Sequence, residues 1–464
     1  MMRKPLALFL PALLLAACAR TPPPSLPPGD VPAAFGQPLP QNAPVWPASD
    51  WWTHFGDPQL GTLILAAQSN NLDIAQAEAR LRQADARARQ AGAALLPTLG
   101  LNGNVNSLYG QTGSTSAHET DYSLGLGASY ELDFWGKNRD AADAAKAARA
   151  ASTADRQTVG LTVTGSVADS YFQLLSLRER IGVAQANLKS SQDILGVVQR
   201  RVSAGYAAAS DLLQERANMA AQQALLPALE QQELETKDAL AILLGRTPEG
   251  FAVTGDSLNT MTAPLVAPGL PAALLSRRPD IAAAEANLAA AHADLAAARV
   301  AFLPSVTLSA SAGLQYPALA AAVDTLPGTG LGLNLGGALL QTIFDGGKIA
   351  ARTDEAKARE EELLAAYRAA VLNAFADVEN ALGSLSHLAA QEAALRNQVN
   401  QSEKVLGAAQ RKYNAGYSDF LTVTDAERNL YTARDQLSDV RRARLAASVA
   451  LYKALGGGYT APEP

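Results

Sequence analysis

Few residues in this chain are of types that do covalent or metal chemistry, and their spacing restricts what they can do. One Cys and four His (His54, His118, His292 and His387) supply neither a disulfide framework nor a zinc site, which needs closely spaced Cys or His ligands. Gly346-Gly347-Lys348 has part of a phosphate-binding loop, but Ile349 replaces the required Ser or Thr and no Gly stands at Thr342. Gly328-Thr329-Gly330-Leu331-Gly332 lies between two strand patterns rather than between a strand and a helix, so no nucleotide site is expected. No His has a carboxylate or nucleophile at a catalytic spacing, and neither enzyme activity nor a resident cofactor or metal is expected. The carboxylates that invite a role are Asp211, Asp419 and Asp425, which follow two glycine turns, Ala204-Gly205-Tyr206 and Ala415-Gly416-Tyr417. Leu421 and Asp425 are four apart and share one helix face. Carboxylates also gather at helix N-termini for electrostatic reasons alone, and glycine suits a helix hairpin because it tolerates positive φ. Both ordinary readings therefore stand beside any functional one.

The lone thiol is the clearest chemical site. Arg3 and Lys4, then the apolar run Leu6 to Leu15, form a secretory leader, and Leu15-Ala16-Ala17-Cys18 resembles the lipobox at which bacterial lipoproteins are cut and acylated. The alternative is a plain secretory signal with an incidental Cys. Ala19 and Arg20, with no Asp after the Cys, resemble lipoproteins sent to the outer membrane. An acyl (palmitate-type) anchor on Cys18 would hold the chain to that membrane at roughly 0.8 kcal/mol per buried CH2. Ten prolines between Thr21 and Pro47 predict an extended tether. The full 464-residue chain has 48% hydrophobic, 18% charged and 6% aromatic residues at a net charge of −6, with no basic stripe for nucleic acid. Only Met219 and Met261 remain after the leader, too few to relay soft metal ions.

Four stretches alternate with period two. In 98–109 the residues Leu99, Leu101, Val105 and Tyr109 oppose Asn102, Asn104 and Asn106, and in 122–132 Tyr122, Leu124, Leu126, Ala128, Tyr130 and Leu132 oppose Ser and Gly. Val306, Leu308, Ala310, Ala312 and Leu314 repeat the pattern, as do Leu331, Leu333, Leu335 and Leu339. Each run has the ~9–11 residues with which a tilted strand crosses a bilayer. A half-buried soluble sheet would alternate too; the lipoprotein leader, the small opposite faces and the aromatics near strand ends favour a membrane. Tyr109, Tyr122 and Tyr316 would mark one interface and Phe134, Trp135 and Phe344 the other. No run of 18 or more apolar residues follows the leader. Four strands leave open edges, which hydrocarbon does not tolerate, so several chains must complete a barrel.

The elements that position these features are long helices. From Lys137 to Arg201 and again from Lys348 to Lys412 there are 65 residues without Pro, each about 100 Å long. Shorter helices are predicted near 60–95, 211–244, 280–302 and 421–455, with Pro227 predicting a kink or an early boundary in the second of these. Trp135-Gly136-Lys137 aligns with Gly346-Gly347-Lys348, Leu195-Gly196 with Leu406-Gly407, Ala204-Gly205-Tyr206 with Ala415-Gly416-Tyr417, and Leu244-Gly245 with Leu455-Gly456, all 211 residues apart. The chain is an internal duplication of helix, strand, strand, long helix, helix.

Its expected organisation is a leader (1–17), a lipidated tether (18–50), a segment with the first helix (51–97), a first membrane hairpin (98–135) and a long helix pair (136–245). A linker (246–278) leads to the helix opening the second repeat (279–303), a second hairpin (304–345), a second helix pair (346–456) and a tail (457–464).

Trp51-Trp52 with Phe55 and Asp57-Pro58, Asn70-Asn71-Leu72-Asp73 with Ala77 and Gln83-Ala84, Arg277-Arg278-Pro279-Asp280-Ile281 with Ala284-Glu285, and the two Ala-Gly-Tyr turns stand in order on this frame. Together they resemble the TolC-like outer-membrane factor family, in its NodT-like lipoprotein branch, over nearly all of the mature chain. The resemblance implies an α+β membrane protein. Three copies would each give two β-hairpins to a 12-stranded outer-membrane barrel, and antiparallel helical rods would form a periplasmic tunnel. It implies an exit duct for small molecules, as in multidrug efflux, with a periplasmic membrane-fusion adaptor and an inner-membrane transporter as partners. The alternatives are the outer-membrane channel of a type I protein secretion system or a periplasmic structural lipoprotein. Gly205, Tyr206, Ala208, Gly416 and Tyr417 would dock the adaptor. Leu421 and Asp425, with Asp419 and Asp211, would form the periplasmic gate, a ring of carboxylates that repel one another and select cations. Asp211, beside Arg200 and Arg201, could join the links that hold the closed end shut.

Overall fold

The computed structural model describes residues 30–37, 43–112, 115–255, 257–315 and 331–459; Cys18, Tyr316, most of the tether and the end of the tail lie outside them. After a 3-10 turn at Trp51–Phe55 come α1 (Pro58–Asn70), α2 (Leu72–Ala93), β1 (Thr98–Thr112), β2 (Thr115–Leu132), α3 (Lys137–Ser203) and α4 (Ala209–Leu243). The second half contains α5 (Pro271–Leu274), α6 (Pro279–Val300), β3 (Ser305–Gln315), β4 (Leu331–Leu340), α7 (Lys348–Asn414) and α8 (Phe420–Ala454). The long helices α3 and α7 have 67 residues each and α4 and α8 have 35 each, so the duplication holds in element length. Residues are gathered in two units, one containing Arg80–Thr153 and Ala283–Tyr367, the other Pro27–Ala79, Ala154–Ala282 and the chain from Arg368.

The first unit holds one antiparallel sheet in the order β1-β2-β3-β4. Its register explains the alternation. Leu101 pairs with Leu126, which pairs with Ala312, which pairs with Leu333; Leu99, Ala128, Ala310 and Leu335 form the next row. Directly opposed residues point to the same face, so apolar residues run unbroken across all four strands. The other face carries Asn102 opposite Gly125, Ser129 opposite Ser309 and Ser311 opposite Asn334. Leu99, Leu101, Val105, Leu333, Leu335 and Leu339 are exposed, Leu335 by 85%. β2 begins at Thr115 rather than near Tyr122, because its polar first part pairs with β1 without showing any apolar alternation. The entry to α3 is fixed by Asp133, which accepts from Asn138 N at 3.0 Å and Arg139 N at 2.9 Å. Asp345 does the same for α7, accepting from Gly347 N and Ile349 N, and these amides hold it below the usual carboxylate range. Trp135 is only half-exposed, since its Nε1 donates to Pro304 O at 2.7 Å. That bond ties the end of the first hairpin to the start of the second.

In the second unit the residues of the Trp51-to-Pro58 stretch make a buried knot. Trp51 stacks on Tyr452 at 5.0 Å, Phe55 lies 5.2 Å from Phe172, and Tyr171 Oη donates to Asp57 Oδ2 at 2.7 Å. Asp57 also caps α1, accepting from Gln59 N. Two equivalent joints follow. Asn71 donates to Leu243 O, the end of α4, at 2.8 Å, and Arg278 donates to Ala454 O, the end of α8, at 3.2 Å. Beside them Gly245 and Gly456, both with positive φ, approach the carbonyls of Asn70 and Arg277 so closely that a Cβ would lie 2.3 and 1.8 Å from those oxygens. Pro227 lies inside α4, so the helix has no early boundary there. Leu226 and Leu229 pack with Leu177, Ile181 and Ala184 of α3 on either side of it, and this packing carries the helix through the missing N–H.

Candidate functional site

The two helix-hairpin turns, both in the second unit, have the same backbone. Gly205 (φ +75°) donates to Val202 O at 3.0 Å and Tyr206 N to Arg201 O at 2.8 Å. Gly416 (φ +82°) donates to Tyr413 O at 3.0 Å and Tyr417 N to Lys412 O at 2.9 Å. This is the left-handed helix stop that satisfies the last carbonyls, and the basic pairs Arg200-Arg201 and Arg411-Lys412 add charge where the helix dipole is negative. Tyr206 and Tyr417 are exposed by 77% and 86%. Two large aromatics held outward at a chain reversal form a surface suited to a protein partner. Ala208 follows in extended geometry immediately before α4.

Beyond the second turn, Asp419 caps α8. Its Oδ1 accepts from Thr422 N at 3.0 Å and Thr422 Oγ1 at 2.6 Å, and these bonds hold its carboxyl below the usual range. Leu421 and Asp425 lie exposed on α8, and Asp425 faces Arg428 Nη1 at 3.8 Å, a long, solvated pair. Phe420, Val423 and Ala426 are buried with Ile194, Val198, Ala409 and Tyr413. Leu421 and Asp425 thus share the face that this chain's own core leaves free. Asp211 in the first turn of α4 accepts weakly from Ser210 Oγ at 3.4 Å, and no ion pair joins it to Arg200 or Arg201. Arg201 instead donates to Tyr413 O and lies 4.5 Å over the Tyr413 ring. That link spans 212 residues, and its only trace in the sequence is a basic residue in a last helical turn. Glu215 of α4 and Glu427 of α8, buried a few turns further on, were also not singled out by sequence. Among the described residues no group of three or more His, Cys, Asp or Glu is placed to hold a metal ion, and no helix is long and apolar enough to cross a membrane.

A sheet with one continuous greasy face, in a chain duplicated on pairs of long helices, defines an outer-membrane channel of the α+β class. The family model described as outer membrane efflux protein matches residues 63–246 and 270–457, and the chain belongs to that family. It is 42% identical to the pyoverdine export outer membrane protein OpmQ of Pseudomonas putida, over 98% of this chain and 97% of that protein. It is 30% identical to the cation efflux system protein CusC of Escherichia coli, over 97% and 98%. Among solved structures it matches the outer-membrane channel OprN (TM-score 0.87, 29% identity, 95% of this chain and 99% of that one). The open state of the Neisseria gonorrhoeae MtrE outer membrane channel matches with a TM-score of 0.85 at 29% identity, over 94% and 98%. The protein is an outer-membrane exit duct for efflux.

Proposed function

We propose that three copies of this chain close a 12-stranded barrel, and that their long helices form the periplasmic part of a passive tunnel serving an inner-membrane pump and its adaptor. The observation that carries this reading is the unbroken row of apolar residues through β1, β2, β3 and β4, at a sheet whose two outer strands have no further partner among the described residues. Such edges need pairing in hydrocarbon, and symmetry-related copies supply it. An acylated Cys18 and the Pro-rich tether hold each chain to the membrane's inner face, and the segments around 48–58, 246–278 and 457–464 form an equatorial collar. Gly205, Tyr206, Ala208, Gly416 and Tyr417 present the docking surface for the adaptor. Leu421 and Asp425, flanked by Asp419 and Asp211, line the constriction at the tunnel's periplasmic end. Since OpmQ is named for pyoverdine export, pyoverdine is the cargo to test first.

With Cys18 acylated, the mature chain has no other Cys, so one Cys placed at Ala208 carries a photo-crosslinker uniquely. Capture of an efflux adaptor in living cells, with trimers in outer-membrane extracts, supports the reading. Capture of a secretion adaptor moves the function to protein export, and no capture despite stable trimers removes these turns as the docking surface. Asp425→Ala should raise the resting conductance of the reconstituted channel; unchanged conductance and selectivity would take Asp425 out of the gate.

A further inference from the structure

Just beyond the turns, where α4 touches α8, two carboxylates lie in the interior without a counter-charge. Glu215 is 0% and Glu427 1% exposed, and neither is in an ion pair. Ser190 Oγ donates to Glu427 Oε1 at 2.8 Å, Asn218 Nδ2 reaches Glu215 Oε2 at only 3.5 Å, and Gln222 Nε2 donates to Ser191 Oγ at 3.0 Å. Glu215 Oε1 and Glu427 Oε2 are buried with no hydrogen-bond partner, as is Gln222 Oε1 beside them. All three are acceptors when the acids are ionised, so what the cluster lacks is positive charge or a donor. An unpartnered buried carboxylate is too costly to keep ionised and takes up a proton instead.

We propose that Glu215 and Glu427 form an internal proton-binding site: at or below neutral pH a carboxyl proton held by the pair keeps α4 and α8 together behind the turns, and its loss leaves two like charges in a dry interface and loosens them. Burial first, and then the Glu427 charge, push Glu215 up to about 7, against the smaller opposing effect of Asn218 and Ser191. Burial also raises Glu427, against Ser190. The charged residues at the same level on the packed helices do not compensate. Lys189 and Asp193 of α3, Arg216 of α4, Lys404 and Arg411 of α7, and Asp425 and Arg428 of α8 are all exposed. The sign is fixed by linkage. An acid whose folded pKa is raised binds more protons folded than unfolded, so the helix contact weakens as pH rises from the ordinary value of 4.5 through about 7.

The test uses the full-length protein in lipid vesicles and needs no partner protein. Infrared difference spectra should show a protonated carboxyl band that disappears as pH passes about 7, and amide exchange in 209–222 and 423–430 should accelerate over the same range. Glu215→Gln keeps the shape and cannot ionise. It should abolish the transition near pH 7 in both signals, leaving only that of Glu427 at lower pH, and Glu427→Gln should move the midpoint downward by removing the repelling charge. Asp193→Asn, at an exposed carboxylate of α3, should leave both signals unchanged. Persistence of the same transition in Glu215→Gln overturns the proposal; if that variant does not assemble, an unmoved midpoint in Glu427→Gln does so equally. Suppression of the carboxyl band at neutral pH by added calcium would also overturn it, since the occupant would then be a metal ion.

Discussion

At the first turn the chain enters α4 through Ala208, which offers no side-chain cap, whereas at the second it enters α8 through Asp419, whose carboxylate closes the first turn of the helix. Phe420 follows Asp419 and is buried 5.5 Å from the Tyr413 ring, while its counterpart Ala209 is exposed. Arg201, at the end of the first long helix, spends its guanidinium on the carbonyl and ring of Tyr413. Duplication has kept the backbone of the reversal and divided the side-chain work: the second turn is anchored by a buried ring and a capping carboxylate, while the first has only the half-buried Val202 and Leu212 beside its backbone bonds. A segment with fewer buried contacts opens more easily, so the first turn is the better able to adapt its shape to a docking partner.

The comparison is broken most severely by removing the anchor. Phe420→Ala deletes a ring buried with Tyr413, Val423 and Val198 and should cost about 3–5 kcal/mol. Amide exchange should accelerate at 413–423 and change little at 202–209. Equal acceleration at both turns would mean that they share one anchor.

Next in size are the turn glycines. Gly205 and Gly416 have nothing within 4 Å of a built Cβ, so alanine at either costs only the left-handed backbone, about 1–2 kcal/mol. The two losses should be alike, because the backbones are alike. At the joints the same change meets a carbonyl oxygen as well, and Gly456→Ala should destabilise well beyond Gly416→Ala in thermal unfolding. If the four glycines respond equally, close approach is not what the joints require.

A further change sharpens the comparison by transplanting the support. Ala208 already has the extended geometry of a capping position (φ −80°, ψ 150°). Ala208→Asp should therefore stabilise the first turn by about 1 kcal/mol, read as slower exchange at 209–213. No gain would mean that a carboxylate at 208 does not reach the free amides of α4.

Much of this architecture is legible in the residues. Period-two alternation located the membrane-facing side of each strand, because the sheet pairs like with like, and the 211-residue offset located both turns and both long helices, which the structure extends to Ser203 and Asn414. The polar first part of β2 was not legible, since it pairs with β1 through the backbone ladder and a Ser107–Thr120 hydroxyl contact, neither of which leaves an apolar alternation in the sequence. Nor was the continuity of α4 through Pro227, where packing against α3 outweighs a local breaker. Glu215 and Glu427 escaped notice because each precedes an arginine on a polar-looking helix; only the packing of α4, α8 and Ser190 and Ser191 shows that both face inward. Arg201 looked like a partner for Asp211, and a long side chain's choice between a nearby acid and a distant carbonyl is made by the fold.

The smallest expected effect tests the division of labour through pH. Thr422 N and Oγ1 bind the ionised form of Asp419, so its folded pKa is depressed below the ordinary 3.8. A depressed acid contributes stability above its unfolded pKa and loses it as pH falls through the folded value. Amide protection at 420–424 should therefore decline once pH drops below about 3.8, while 209–213 of the first turn, which has no capping carboxylate, should show no matching decline. Asp419→Asn retains a capping oxygen and should flatten the acid response without abolishing the cap. The decisive comparison is Ala208→Asp, which should give the first turn the acid sensitivity that it lacks. If 209–213 is already acid-sensitive in the natural chain, Asp211 supports the first turn after all, and the two reversals are less different than their caps imply.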